Sequence, residues 1–158
     1  MLAKAMRAAT RGLAVSMCLA AGVLLAAEQH AFDGTWQMDA AKSHVSDGRV
    51  VTMTIASVED GVNVTMKTKK SDGQETTSEW NGKLNGKIAE VTEGAHKSQL
   101  TMWYNGATLN ACKEKGPAGD VTSMWKFELT PDKQGMTVTL SHYEPAAGDE
   151  TLAFKKGS

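Results

Sequence analysis

Four histidines, His30, His44, His96 and His142, and two cysteines, Cys18 and Cys112, have the widest chemical repertoire in this chain. A metal centre needs such groups clustered at ligand spacing. Here they are scattered, with no His-x-His and no Cys-x-x-Cys. A cysteine nucleophile needs a neighbouring base to generate its thiolate. Cys112 stands among Asn110, Lys113 and Glu114, a setting that suits a small strand residue better. Neither a Gly-rich phosphate loop nor a Gly-x-Ser-x-Gly elbow occurs. The sequence therefore offers no metal site, no cofactor motif and no catalytic constellation, and gives no positive sign of an enzyme.

Binding chemistry is better represented. His142 continues the series Met136, Val138, Leu140 at a spacing of two, which aims it inward near a strand end. A polar group at the edge of an apolar cavity can orient a ligand. Tyr104 stands in the same relation to Leu100 and Met102. Methionines at 38, 53, 66, 102, 124 and 136 add flexible, polarizable side chains, several of them on inward faces. Trp36, Tyr104, His142, Met102 and Met136 are thus the candidate contacts for a small apolar or amphipathic ligand.

The elements that must position these residues are strands. From Phe32 onward, turn signals recur at short intervals: Asp60-Gly61, Asp72-Gly73, Asn81-Gly82, Asn85-Gly86, Glu93-Gly94, Asn105-Gly106, Gly116-Pro117, Pro131-Asp132 with Gly135, and Pro145 with Gly148-Asp149. Asn-Gly and Asp-Gly favour the tight turns of hairpins. Between them apolar and polar residues alternate. Val62, Val64 and Met66 oppose Asn63, Thr65 and Lys67; Leu100, Met102 and Tyr104 oppose Thr101 and Trp103. Val121, Trp125, Phe127 and Leu129 oppose Thr122, Lys126 and Glu128, with Met124 out of pattern. Such alternation marks strands with one buried and one wet face. A single helical turn is expected at most, at Asp39–Ser43. The reading is an all-β fold: an antiparallel up-and-down meander of nine or ten strands, near 32–38, 49–58, 62–70, 74–80, 87–92, 98–104, 107–114, 121–130, 136–144 and 150–156. A meander of this length hides its edges by closing into a barrel. A two-sheet sandwich is the alternative.

The N-terminus is compositionally foreign to the rest. Lys4, Arg7 and Arg11 form a basic head without acids. An uncharged, largely apolar run from Leu13 to Leu25 follows and ends at Ala26-Ala27. These are the parts of a cleavable signal peptide; a membrane anchor needs about 20 apolar residues. Residues 1–27 are read as the signal and 28–158 as a single β-barrel domain, periplasmic or secreted, with no transmembrane segment after cleavage. Cys18 lies within the apolar run rather than after it, which argues against lipid attachment. Cleavage removes three of the 17 Lys and Arg residues and none of the 18 Asp and Glu. The remainder has a net charge of −4 and one arginine, Arg49, which disfavours nucleic acid as a partner. Cys112 then has no partner for an intrachain disulfide, and about 130 residues suffice for an unaided core.

Gly34-Thr35-Trp36 opens the first strand and continues Gln37-Met38-Asp39-Ala40-Ala41-Lys42-Ser43. This run resembles the start of small exported bacterial lipocalin-like proteins of the calycin superfamily, which typically begin Gly-Thr-Trp-x-Leu-Asn-x-x-Lys-Ser. Trp80-Asn81-Gly82-Lys83-Leu84-Asn85-Gly86-Lys87 is similar to their middle. The resemblance implies a barrel over residues 32–156 and a role that is itself largely uncharacterised. It also implies that Trp36 packs beneath a basic side chain of the last strand. Lys156 shares the parity of Leu152 and Phe154 and is the better match, ahead of Lys155. Two departures bear on ligand capture. The two lid helices of fatty-acid-binding proteins have no room between Lys42 and Arg49. Their terminal Arg-x-Tyr, which grips a carboxylate, is replaced by Leu152-Ala153-Phe154-Lys155-Lys156. A structural or protein-interaction module of the cell envelope, with a filled barrel, is the second expectation.

Overall fold

Strand-forming residues between Phe32 and Gly157 build ten strands in a computed structural model that describes residues 30–84, 86–93, 96–115 and 120–157. The proposed signal, residues 1–27, lies outside the described residues. After a 3-10 turn at His30–Phe32 come β1 (Gly34–Met38), β2 (Val50–Val58), β3 (Gly61–Lys69), β4 (Glu75–Lys83) and β5 (Ala89–Glu93). They are followed by β6 (His96–Asn105), β7 (Thr108–Lys115), β8 (Asp120–Leu129), β9 (Gly135–Tyr143) and β10 (Ala146–Lys156). The expected helical turn after β1 is one hydrogen-bonded turn, Lys42 N to Asp39 O at 3.1 Å.

Every hydrogen-bonded neighbour pair is antiparallel, and the order is β4-β3-β2-β1-β10-β9-β8-β7-β6-β5. Pairing of β1 with β10 joins the two ends of the meander, with Trp36 opposite Lys156. The sheet thus curls into a nearly closed barrel, and the sandwich alternative falls. Its one seam lies between β4 and β5, which face each other without a ladder.

Inward positions at period two make the core: Trp36, Met53, Ile55, Val62, Val64, Trp80, Leu100, Met102, Leu109, Phe127, Met136, Val138, Leu152 and Phe154 are all buried. Trp80 and Trp125 meet edge to face with centroids 5.0 Å apart, worth about 0.5–1.5 kcal/mol beyond area burial.

Three expectations need correction. Asn81-Gly82 is not a turn. Both residues continue β4, paired with Asn63 and Val62. Gly82 is there because its neighbour across the seam leaves no space: a Cβ would stand 1.9 Å from Met102 Sδ. Val121 is not inward either, being 38% exposed. A bulge between Lys113 and Glu114 makes Ser123 the partner of Lys113 but Val121 the partner of Glu114. The additional β8 residue reverses the parity of what precedes it. The last strand also begins earlier than the turn signals suggested, at Ala146, and absorbs Gly148 (φ +77°) as an irregularity.

Candidate binding cavity

The strands present their inward faces in layers. At one end, Phe32 is buried, and its carbonyl accepts a 2.8 Å hydrogen bond from Trp36 Nε1. Tyr104 packs against the Phe32 ring at 6.1 Å. Lys156 Nζ lies 5.3 Å from the Trp36 ring centroid, while Lys155 turns outward to Asp39 at 2.9 Å. This end is plugged. Burial, with the Asp33 charge adding to it, pushes the Tyr104 phenol up to about 12.

The other end is hollow. A cavity of about 400 Å³ is lined by Arg49, Val51, Met66, Thr68, Ser78, Lys113, Thr122, Ser123, Trp125, Leu140, His142, Glu144 and Leu152. Its chemistry changes with depth in a regular way. Stepping two residues down a strand keeps the same face and descends about 7 Å. That step leads from Arg49 to Val51, from Thr68 to Met66, from Ser78 to Trp80 and from Lys113 to Ala111. It leads likewise from Ser123 to Trp125, from His142 to Leu140 and from Glu150 to Leu152. On six strands, and on the approach to β2, the rim residue is polar and the next inward residue apolar.

Part of the rim is fixed by one carboxylate. Glu150 is 9% exposed. Its Oε1 accepts from Ser46 Oγ and from Arg49 Nη1, both at 3.3 Å. Its Oε2 takes the second guanidinium nitrogen of Arg49 and lies 3.5 Å from His142 Nε2. Arg49 also reaches Asp47 at 3.0 Å. Burial alone would raise the Glu150 carboxyl; the hydrogen bonds and charge of Arg49, with His142, outweigh it and hold the group below its ordinary value. Burial opposes the Arg49 charge in the same way, and Glu150 and Asp47 raise its pKa despite it. On the barrel wall, Lys113 Nζ sits over the Trp80 ring, 5.6 Å from its centroid. The segment from Asp39 to Arg49, where lid helices would stand, is tied to β10. His44 bridges Thr151, and Ser43 Oγ accepts from Ala153 N at 2.9 Å.

Of the five residues proposed from sequence as ligand contacts, His142 lines this cavity. Trp36 and Tyr104 stand at the plugged end, and Met102 fills the space beside Gly82 at the seam. Met136 is buried in the wall and borders a second hollow, about 320 Å³, ringed by Asp39, Lys42, Asp132 and Lys155. Cys112 lies on the face opposite Ala111, beside Met124, with Sγ 3.9 Å from Glu114 Oε1. Burial and then the Glu114 charge push its thiol pKa up. Arg49, Lys113, Glu150 and Trp125 were missed as site residues. The signal for three of them was the alternation itself, carried one step past the last apolar residue of each strand. Among the described residues, no three His, Cys, Asp or Glu side chains are grouped to hold a metal.

No protein-family model matches the chain, and no curated protein matches its sequence. Solved structures do match. Fatty-acid-binding protein 1 of Echinococcus granulosus is 14% identical with a TM-score of 0.59, covering 82% of this chain and 99% of that one. An abundant heat-soluble (SAHS) protein from Ramazzottius varieornatus is 10% identical with a TM-score of 0.60, covering 80% and 96%. The fatty-acid-binding protein isolated from Manduca sexta is 17% identical with a TM-score of 0.53, covering 78% and 98%. Identities this low carry the fold alone. The chain has a barrel fold similar to that of the fatty-acid-binding, calycin-like proteins.

Proposed function

We propose that this protein is exported to the periplasm or beyond and binds a small amphipathic molecule in the rim cavity of its barrel. One observation carries the binding: in four pairs that line the cavity, Arg49 and Val51, Thr68 and Met66, Ser123 and Trp125, and His142 and Leu140, the inward face passes from polar at the rim to apolar one step deeper. A cavity layered in this way matches a molecule with one polar and one apolar end. Its volume, about 400 Å³, sits at the low end of the roughly 300–1,000 Å³ usual for small-molecule sites. Fatty-acid binding in the names of two structural neighbours supports the same class of ligand. Export rests on the basic head, apolar run and Ala26-Ala27 exit of residues 1–27.

Titration with the neutral dye N-phenyl-1-naphthylamine tests the binding. Trp125 lines the cavity and should transfer energy to bound dye, with saturation in the micromolar range, about −8 kcal/mol. In a protein whose other tryptophans, Trp36, Trp80 and Trp103, are replaced by Phe, Trp125 is the donor left, and adding Trp125→Phe should abolish the transfer. The second reading is a filled-barrel interaction module of the envelope, and the tight packing around Trp36, Phe32 and Phe127 favours it. A well-folded sample that takes up no dye would establish that reading over ours.

A further inference from the structure

We propose that Asn105 is a site of covalent self-modification: its side chain closes onto the amide of Gly106 and reopens as aspartate or isoaspartate, while Asn81, which also precedes a glycine, is preserved by the fold. In such a pair the glycine amide nitrogen attacks the asparagine side-chain carbonyl carbon. One C–N bond forms as another breaks, and the side-chain nitrogen leaves as ammonia, carrying the proton of the attacking amide. Water then opens the cyclic imide at either carbonyl, so the only co-reactant is water. Glycine is the favourable neighbour because no Cβ shields its nitrogen. The attack also needs the intervening peptide to rotate, and the fold decides which peptide can.

Asn105 and Gly106 stand at a hairpin tip. Asn105 is the last residue of β6 and pairs with Thr108. Gly106 and Ala107 form the two-residue turn, and Gly106 has φ +58°, as the first position of a type II′ turn requires. Asn105, Gly106 and Ala107 are all exposed. Among the described residues, and chain neighbours apart, no heavy atom lies within 4 Å of where a Gly106 Cβ would stand. Fraying of such a tip costs almost nothing. Asn81 and Gly82 differ at each point. They lie inside β4, opposite Asn63 and Val62 of β3. Leu84 N donates to Asp60 O at 3.1 Å, and hydrogen-bonded pairs alternate along an antiparallel ladder. Val62 and Gly82 are therefore a bonded pair, so the Gly82 nitrogen that would attack donates instead to the Val62 carbonyl. Gly82 is also buried, with Met102 packed against it. Rotating the Asn81–Gly82 peptide needs β4 to part from both β3 and β6; rotating Asn105–Gly106 needs one terminal pair to fray. Isoaspartate moves a side-chain methylene into the main chain. The path from residue 105 to Thr108 then gains an atom, at the plugged end beside Tyr104.

A time course on the whole protein tests this. Native protein is held at pH 8 beside a sample unfolded in guanidinium chloride, and portions of both are digested with trypsin. Cleavage after lysine places Asn81 in the peptide 71–83 and Asn105 in the peptide 98–113. Mass spectrometry reads the amide-to-acid mass gain of each, with fragment ions separating Asn105 from Asn110, and chromatography resolves isoaspartate from aspartate. In the native protein Asn105 should convert at least about tenfold faster than Asn81, since each 1.36 kcal/mol of opening required is a factor of ten in rate. In guanidinium chloride the two should convert alike, because both then precede glycine in a free chain. Equal rates in the native protein, or a preference for Asn105 of the same size after unfolding, would overturn the proposal. So would an Asn105 that stays intact in native protein while the unfolded sample reacts to completion.

Discussion

Gly82→Ala probes how the barrel closes, because Gly82 on β4 and Met102 on β6 meet across a seam that no ladder holds together. An added Cβ would stand 1.9 Å from Met102 Sδ, 2.7 Å from its Cγ and 3.3 Å from its Cβ. All three distances are inside van der Waals contact, and the last is to an atom fixed by the backbone. Overpacking of a filled core by one methyl costs about 1–3 kcal/mol. Alanine regains about 0.5–1 kcal/mol of the conformational cost of glycine in a strand, so the net loss should be about 1–2 kcal/mol. Met102→Ala should cost about 2–5 kcal/mol by leaving a cavity. The double variant is the decisive sample. The methyl added by Gly82→Ala would then enter space that Met102 has vacated, so the two losses should fall short of additivity by about 0.5–3 kcal/mol. Urea denaturation of the four proteins measures this; with a slope of about 1–3 kcal/mol per molar, the Gly82→Ala midpoint should move by about 1 M. A neutral Gly82→Ala, or strictly additive losses, would refute the close approach of β4 and β6.

Lys156→Met should lose the cation–π contact with Trp36, about 0.5–2 kcal/mol, and Lys155→Met should lose much less; the reverse order in urea midpoints would refute the assignment of Lys156. Glu150 has a lowered native pKa, so its contribution to stability is complete above its unfolded value, near 4.3, and disappears as pH falls through the native value. The thermal midpoint should accordingly drop more steeply below about pH 4 in the parent than in Glu150→Gln, and parallel curves would refute a stabilising ion pair between Glu150 and Arg49. Cys112, with its thiol pKa raised by burial and Glu114, should react slowly with a disulfide reagent at pH 8 until urea unfolds the barrel; rapid labelling of native protein would show it accessible. Expressed in a bacterium, the protein should be recovered outside the cytoplasm beginning at or near Glu28, and a soluble cytoplasmic product retaining residues 1–27 would refute export.

Much of the barrel could be read directly from the chain. Period-two alternation identified nine or ten strands and most inward residues, because a strand's two faces are a local property that side-chain spacing records. The same parity argument singled out Lys156 rather than Lys155 for the face of Trp36. Turn dipeptides located most connections and failed at Asn81-Gly82, where glycine answers a demand for space from β6, remote in sequence, rather than a demand for positive φ. Val121 failed for a related reason. A bulge is set by the register of two strands, and neither strand's own alternation reveals it. The cavity belongs to this second class. Arg49, Lys113, His142 and Glu150 lie on four different strands or their approaches, and nothing in their local sequence says that they share one level of the barrel. That level is decided by which strand pairs with which and by the stagger at which β1 meets β10. Closure of a sheet fixes tilt and shear together, and with them the height of every side chain above the plugged end.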